Sequence, residues 1–206
     1  MLPELQSLID FHACINNLKF TYRFSESPEL SNESSAAHSW NLAMIVITIT
    51  DTLPIQINKE RALELALIHD LVEVITGDID YYLVHNNTIT VKTKKENEKE
   101  AIIQLTAKLP EQIKKKIINL FDEFELQETV ESNYIKALDR LETISNIFTC
   151  GLEKLKDPKV LPTYADKAIQ KFPALMPWHT QQKKILKKYF TENNIIWEKE
   201  YNYGLY

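Results

Sequence analysis

Apolar residues recur along this chain at spacings of three and four with few interruptions, a period that belongs to the α-helix. The pattern predicts a first helix over about residues 3–18, a second over 34–52, and a third from Asn58 or Lys59 to Thr76, where Gly77 stops it. Asn32 or Ser34 is a suitable start for the second. The period breaks over residues 80–93, where two short apolar runs flank His85-Asn86-Asn87; this suits a small hairpin or a flexible loop, and the loop is expected. Residues 92–108 resume as helix, Pro110 fits the first turn of another ending near Glu125, and Thr129 caps a long helix closed by Asp157-Pro158. In that helix Ile135, Leu138, Leu141 and Ile144 or Ile147 form the expected buried stripe. The fold class is therefore all-α, with no internal repeat.

One apolar stretch, residues 66–78, carries His69, Asp70 and Glu73 and, just past Gly77, Asp78. Residues three and four apart share a helix face, so Glu73 projects alongside His69 and Asp70. An imidazole and up to three carboxylates in apolar surroundings are expensive unless they bind something. Together they have the composition of a divalent-cation site with nitrogen and oxygen ligands, in which the carboxylates not bound to metal handle water. Two residues elsewhere can complete it. His38 precedes a long apolar run through Ile49, and Asp139 sits beside the buried stripe of the long helix.

A histidine, then His-Asp, then a distant Asp on a late helix resembles the HD superfamily of metal-dependent phosphohydrolases. The block from His69 to Ile79, with Glu33 five and Arg23 fifteen residues before His38, is similar to the bacterial 5'-deoxynucleotidase branch and its eukaryotic relatives. The resemblance covers roughly residues 18–151. It implies an HD-domain helical bundle in which His38, His69, Asp70 and Asp139 bind one divalent ion per chain (Mn, Co, Fe, Ni, Zn or Mg). It further implies that Glu73 and Asp78 are catalytic, that Arg23 grips the phosphate and that Phe24 contacts the substrate. The implied reaction converts (deoxy)nucleoside 5'-monophosphates to nucleoside and phosphate, and the implied assembly is a homodimer. Two positions depart from the family: Ala37 stands where a glutamate commonly precedes the histidine, and Phe24 where the bacterial enzyme has tryptophan.

Composition narrows the alternatives. At 206 residues, 44% of them hydrophobic, the chain has enough length for one domain, with a core over about 18–157 and an extension over 158–206. That extension holds Trp178, Tyr189, Trp197, Tyr201, Tyr203 and Tyr206, too aromatic for a disordered tail, and is expected to pack on the domain or on a second subunit. A net charge of −5 argues against nucleic acid as partner, while small phosphorylated substrates need only a local positive pocket. Met1-Leu2-Pro3-Glu4 does not start a signal peptide, no apolar run is long enough for a bilayer, and Cys14 and Cys150 match no metal or redox spacing. A cytoplasmic protein is expected. The competing functional readings are hydrolysis of another small phosphorylated metabolite or a cyclic nucleotide, and a nucleotide-binding regulator without turnover. A purely structural helical protein would bind no metal. Lys92, Lys94 and Lys95 form a basic run that suits a solvated helix start at least as well as substrate contact, and His12, His85 and His179 sit in no second metal motif.

Overall fold

The computed structural model describes residues 2–30 and 33–205. Helix α1 (Leu2–Ile15) runs into a 3-10 turn, Asn16–Phe20, and leads to α2 (Ser35–Ile49). Ser34 caps α2, its side chain accepting from the Ala37 amide at 3.2 Å; the other expected start, Asn32, and the aromatic Tyr206 lie outside the described residues. Asn58 caps α3 (Lys59–Ile68) by accepting from the Arg61 amide.

The expected third helix does not run unbroken to Thr76. After Ile68 the amides of Leu71, Glu73 and Ile75 reach back three residues instead of four, to Ile68, Asp70 and Val72, and a short α4 (Glu73–Thr76) follows before Gly77 at φ 70°. This tightening falls on His69 and Asp70.

The segment expected to be a loop is instead a short helix, α5 (Tyr81–His85), because the Asp80 carboxylate accepts from the Tyr82 amide at 2.9 Å and starts a turn. Thr90 then caps α6 (Val91–Thr106), and α7 (Glu111–Leu126) begins just after Pro110 and ends at Gln127 in the left-handed region. Thr129 caps α8 (Val130–Cys150) through a capping box with Ser132. That helix stops at Gly151, seven residues before Pro158. Gly151 has φ 114°, a backbone unfavourable to a side chain, and a Cβ there would collide with Glu153.

Helix α8 is the axis of the bundle, packed by α2, α3 and α7 and, on its remaining side, by α9 (Asp166–Lys171) and α10 (Met176–Glu192). The predicted stripe Ile135, Leu138, Leu141, Ile144 and Ile147 is buried throughout, and so are Tyr134 and Ala137, because the extension covers a second face of the helix. Val160, Leu161, Ile169, Phe172, Leu175 and Leu186 belong to the same apolar core. The aromatic tail packs on the domain: Trp197 meets Phe190 and Tyr201 edge to face, each at 5.4 Å. Lys183 is fully buried and ties this tail down, its Nζ reaching Asp166 Oδ1 at 2.8 Å and donating to the Tyr201 carbonyl at 3.0 Å; His179 Nε2 meets the same Asp166 oxygen at 2.8 Å. No strand occurs among the described residues, only an isolated bridge between Tyr22 and Ser34 that brings the Arg23 turn beside the start of α2.

Candidate active site

Two histidines lie at the centre of the bundle with their reactive nitrogens bare. His38, one turn into α2, has Nδ1 2.5 Å from Glu142 Oε2, and His69, where α3 breaks, has Nδ1 2.9 Å from the Ala66 carbonyl. A proton on each Nδ1 satisfies those acceptors and leaves each Nε2 with a free lone pair. Both Nε2 atoms are buried and make no hydrogen bond, a costly arrangement for a core histidine and a suitable one for a metal ligand.

Carboxylates complete the cluster. Asp139 Oδ1 lies 3.3 Å from His38 Nε2, and Asp70 Oδ2 lies 3.1 Å from His69 Nε2 and 3.8 Å from His38 Nε2. Neighbouring donors around one cation with bonds of about 2.1 Å stand roughly 3.0–3.4 Å apart, and the donor atoms of His38, His69 and Asp139, all within 4.8 Å of one another, fit a divalent ion, with Asp70 beside His69 at its edge. The mixture of imidazole and carboxylate suits Mn, Co, Fe, Ni or Zn. Burial by itself would raise both aspartates, but the adjoining histidines and, for Asp139, first of all Lys136 hold them well below the usual carboxylate range. Burial and the nearby Arg23 charge would lower His38, and the carboxylates of Asp139 and Glu142 override them, raising it to about 10, so a proton and a cation compete for its Nε2.

Glu73 and Asp78 behave differently. Glu73 is buried and accepts from the Ser35 hydroxyl at 2.5 Å, and its pKa is raised well above normal by burial and then by Asp70 and Asp78. Asp78, also raised by burial, accepts from the Phe24 amide at 3.2 Å. That amide is aimed by Phe24's φ of 63°, an uncommon conformation for a phenylalanine and a local strain placed at the site. Arg23 is buried; its Nη1 donates to Glu33 at 2.8 Å and its Nη2 to Thr143 Oγ1 at 2.9 Å, and its guanidinium lies 5.2 Å from the Phe24 ring.

All eight predicted residues are brought together. Seven of them line a cleft of about 900 Å³, and His38 lies directly behind Asp139. Of the basic run, Lys94 and Lys95 line this cleft and pair with Glu98 and Glu125, while Lys92 is exposed beside Glu96. His85 is an exposed residue at the cleft, His12 is exposed, and His179 belongs to the Asp166 cluster.

Sequence reasoning missed Glu142. It holds His38 from α8 and accepts from Asn41 Nδ2 at 2.7 Å. The signal was present, since Glu142 lies three residues after Asp139 and shares its helix face. Also missed were Ser35, which holds Glu73, and Arg140, whose guanidinium lies 4.3 Å from the Tyr164 ring.

The chain is similar to known proteins over most of its length. The family described as HD domain matches residues 15–162. The 5'-deoxynucleotidase HDDC2 of Danio rerio is 34% identical over 146 residues, 68% of this chain and 68% of the relative; its Homo sapiens counterpart is 33% identical over 145 residues, 68% and 66%. The matched stretch thus spans about two thirds of these relatives. The 5'-deoxynucleotidase hdd1 of Schizosaccharomyces pombe is 32% identical over 188 residues, 84% of this chain and 86% of the relative. A solved structure described as a predicted metal-dependent phosphohydrolase, from Magnetospirillum magnetotacticum, shares the fold with a TM-score of 0.74 at 23% identity, over 94% of this chain and 98% of that one.

Proposed function

Because the chain belongs to the HD-domain family, in its 5'-deoxynucleotidase-like branch, we propose that it is a metal-dependent phosphomonoesterase converting (deoxy)nucleoside 5'-monophosphates to nucleoside and phosphate. The observation that carries this reading is the pair of buried, unbonded Nε2 atoms facing Asp70 and Asp139 at the wall of a cleft that also holds two carboxyls of raised pKa. His38, His69, Asp70 and Asp139 hold one divalent ion. When bound, that ion supplies Lewis-acid neutralisation of phosphate charge and acidifies water.

The chain's own groups do the rest. Glu73, steadied by Ser35, orients the attacking water and takes its proton. Asp78, held by the Phe24 amide and raised by burial, is the proton donor to the departing 5'-oxygen. Arg23 faces the non-bridging oxygens as charge moves toward the leaving group, and Phe24 borders the sugar. A mere nucleotide binder has no chemical need for both Glu73 and Asp78.

No helix among the described residues is long and apolar enough to cross a membrane. The protein works in the cytoplasm as a homodimer. The exposed stripe Trp40, Met44 and Ile47 on α2 and the exposed Leu5 and Ile9 on α1 support such pairing.

The test is phosphate release from ribo- and deoxyribonucleoside 5'-monophosphates by metal-stripped protein reconstituted separately with Mn, Co and Mg. Turnover that vanishes in Asp70→Ala is expected, and the deoxy-to-ribo ratio reports what Phe24 contributes. Full metal occupancy with no release from any nucleotide would remove the substrate assignment.

A further inference from the structure

Arg23 alone is a weak grip for a phosphate dianion. Its charge already faces Glu33 at 2.8 Å and Glu142 at 3.7 Å, and its second nitrogen is engaged by Thr143. The cleft also presents the carboxylates of Asp70, Glu73, Asp78 and Asp139, so an incoming dianion needs further positive charge close to them. Lys136 is committed to Asp139 Oδ2 at 3.0 Å, and Lys94 pairs with Glu98 at 3.5 Å.

Arg140 is placed otherwise. It follows Asp139 on α8, and its guanidinium lies 4.3 Å from the Tyr164 ring and 5.7 Å from the Tyr81 ring; the two rings pack edge to face at 4.6 Å. Aromatic faces steady a planar guanidinium while leaving its edge donors available. Its nearest carboxylate oxygen among the described residues is Asp139 Oδ2, 3.9 Å from Nε, beyond hydrogen-bond reach, and the side chain keeps 23% exposure on the cleft. A guanidinium stays charged at any working pH.

We propose that Arg140, steadied by Tyr81 and Tyr164, binds the non-bridging oxygens of the substrate phosphate beside Asp139 as a second cationic grip. Tyr164 comes from the extension beyond the family match, so the C-terminal segment builds part of the substrate site. This inference rests on the phosphohydrolase reading and deepens it.

The test is calorimetric titration of metal-loaded wild type, Arg140→Gln and Arg140→Lys with inorganic phosphate, with metal content and thermal unfolding measured on each. Arg140→Gln is expected to weaken phosphate binding roughly ten- to a hundred-fold at unchanged metal content, and Arg140→Lys to recover part of it. KM for nucleoside 5'-monophosphates rises in step. Wild-type phosphate affinity in Arg140→Gln overturns the proposal, and so does loss of metal, which would place Arg140 in support of Asp139. If the glutamine variant does not fold, Arg140→Lys decides: weaker binding supports the grip and unchanged binding overturns it. Phosphate titration needs no turnover. A drop in phosphate affinity in a protein that hydrolyses no nucleotide would therefore uphold Arg140 and count against the nucleotide assignment alone.

Discussion

Replacing Glu142 with glutamine keeps the size and one acceptor of a side chain that does not itself line the cleft, yet it is expected to loosen the metal. Glu142 is 1% exposed, and its two oxygens meet His38 Nδ1 at 2.5 Å and Asn41 Nδ2 at 2.7 Å. His38 holds the carboxylate below its usual range against the cost of burial, so the bond is charge-assisted in the folded protein. Such bonds are worth ~1.5–3 kcal/mol, of which a neutral amide retains only part. At about 1.4 kcal/mol per decade, its loss at a ligand-orienting position weakens metal binding roughly ten- to a hundred-fold, the range usual for partners of metal-bound histidines. Competition between the protein and a chromophoric chelator for Mn or Co measures this directly, with far-ultraviolet circular dichroism confirming the fold. Unchanged metal affinity in well-folded Glu142→Gln would refute the idea that Glu142 orients His38 for a cation.

Leu138, wholly buried at the centre of α8, should cost ~2–5 kcal/mol on truncation to alanine, read as a lower midpoint in guanidinium unfolding. Lys183→Met leaves Asp166 with His179 alone and is expected to destabilise by ~3–5 kcal/mol and to expose the tail beyond Glu192 to proteolysis; wild-type stability would mean that the buried pair contributes nothing net. Glu64, bonded first by Lys116 and then by Arg61, has a folded pKa below its unfolded value. Its contribution is therefore complete above about pH 4.5 and lost as pH falls through the folded value, so Glu64→Gln should shallow the acid limb of the stability curve and leave its high-pH side unchanged in slope.

Much of the fold was local information. Ser34, Asn58, Thr90 and Thr129 cap helices because the side-chain oxygen of an extended residue meets the amide three positions on, and the spacing of Ile135, Leu138, Leu141 and Ile144 marks one face of α8. The same locality explains the errors. Periodicity carried the third helix through His69 because the turn there tightens by one residue without changing which side chains are apolar. It carried the long helix past Gly151 because a positive φ is a backbone event that leaves no mark on hydrophobic spacing. Residues 80–93 looked like a loop because the Asp80 cap acts on only five helical residues.

The sequence by itself determined which donor side chains turn inward and in what order, because His38, His69-Asp70 and Asp139 each sit in a helical stretch whose apolar neighbours turn them inward. Only the tertiary structure decided how they are supported and what faces them. Glu142 reaches His38 across 104 positions, Thr143 meets Arg23 across 120, and Tyr164 closes on Arg140 from beyond the matched domain. Contacts at such separations are set by how α2, α8 and the C-terminal extension pack, and a one-dimensional pattern records the buried face of each helix but not the partner that face meets.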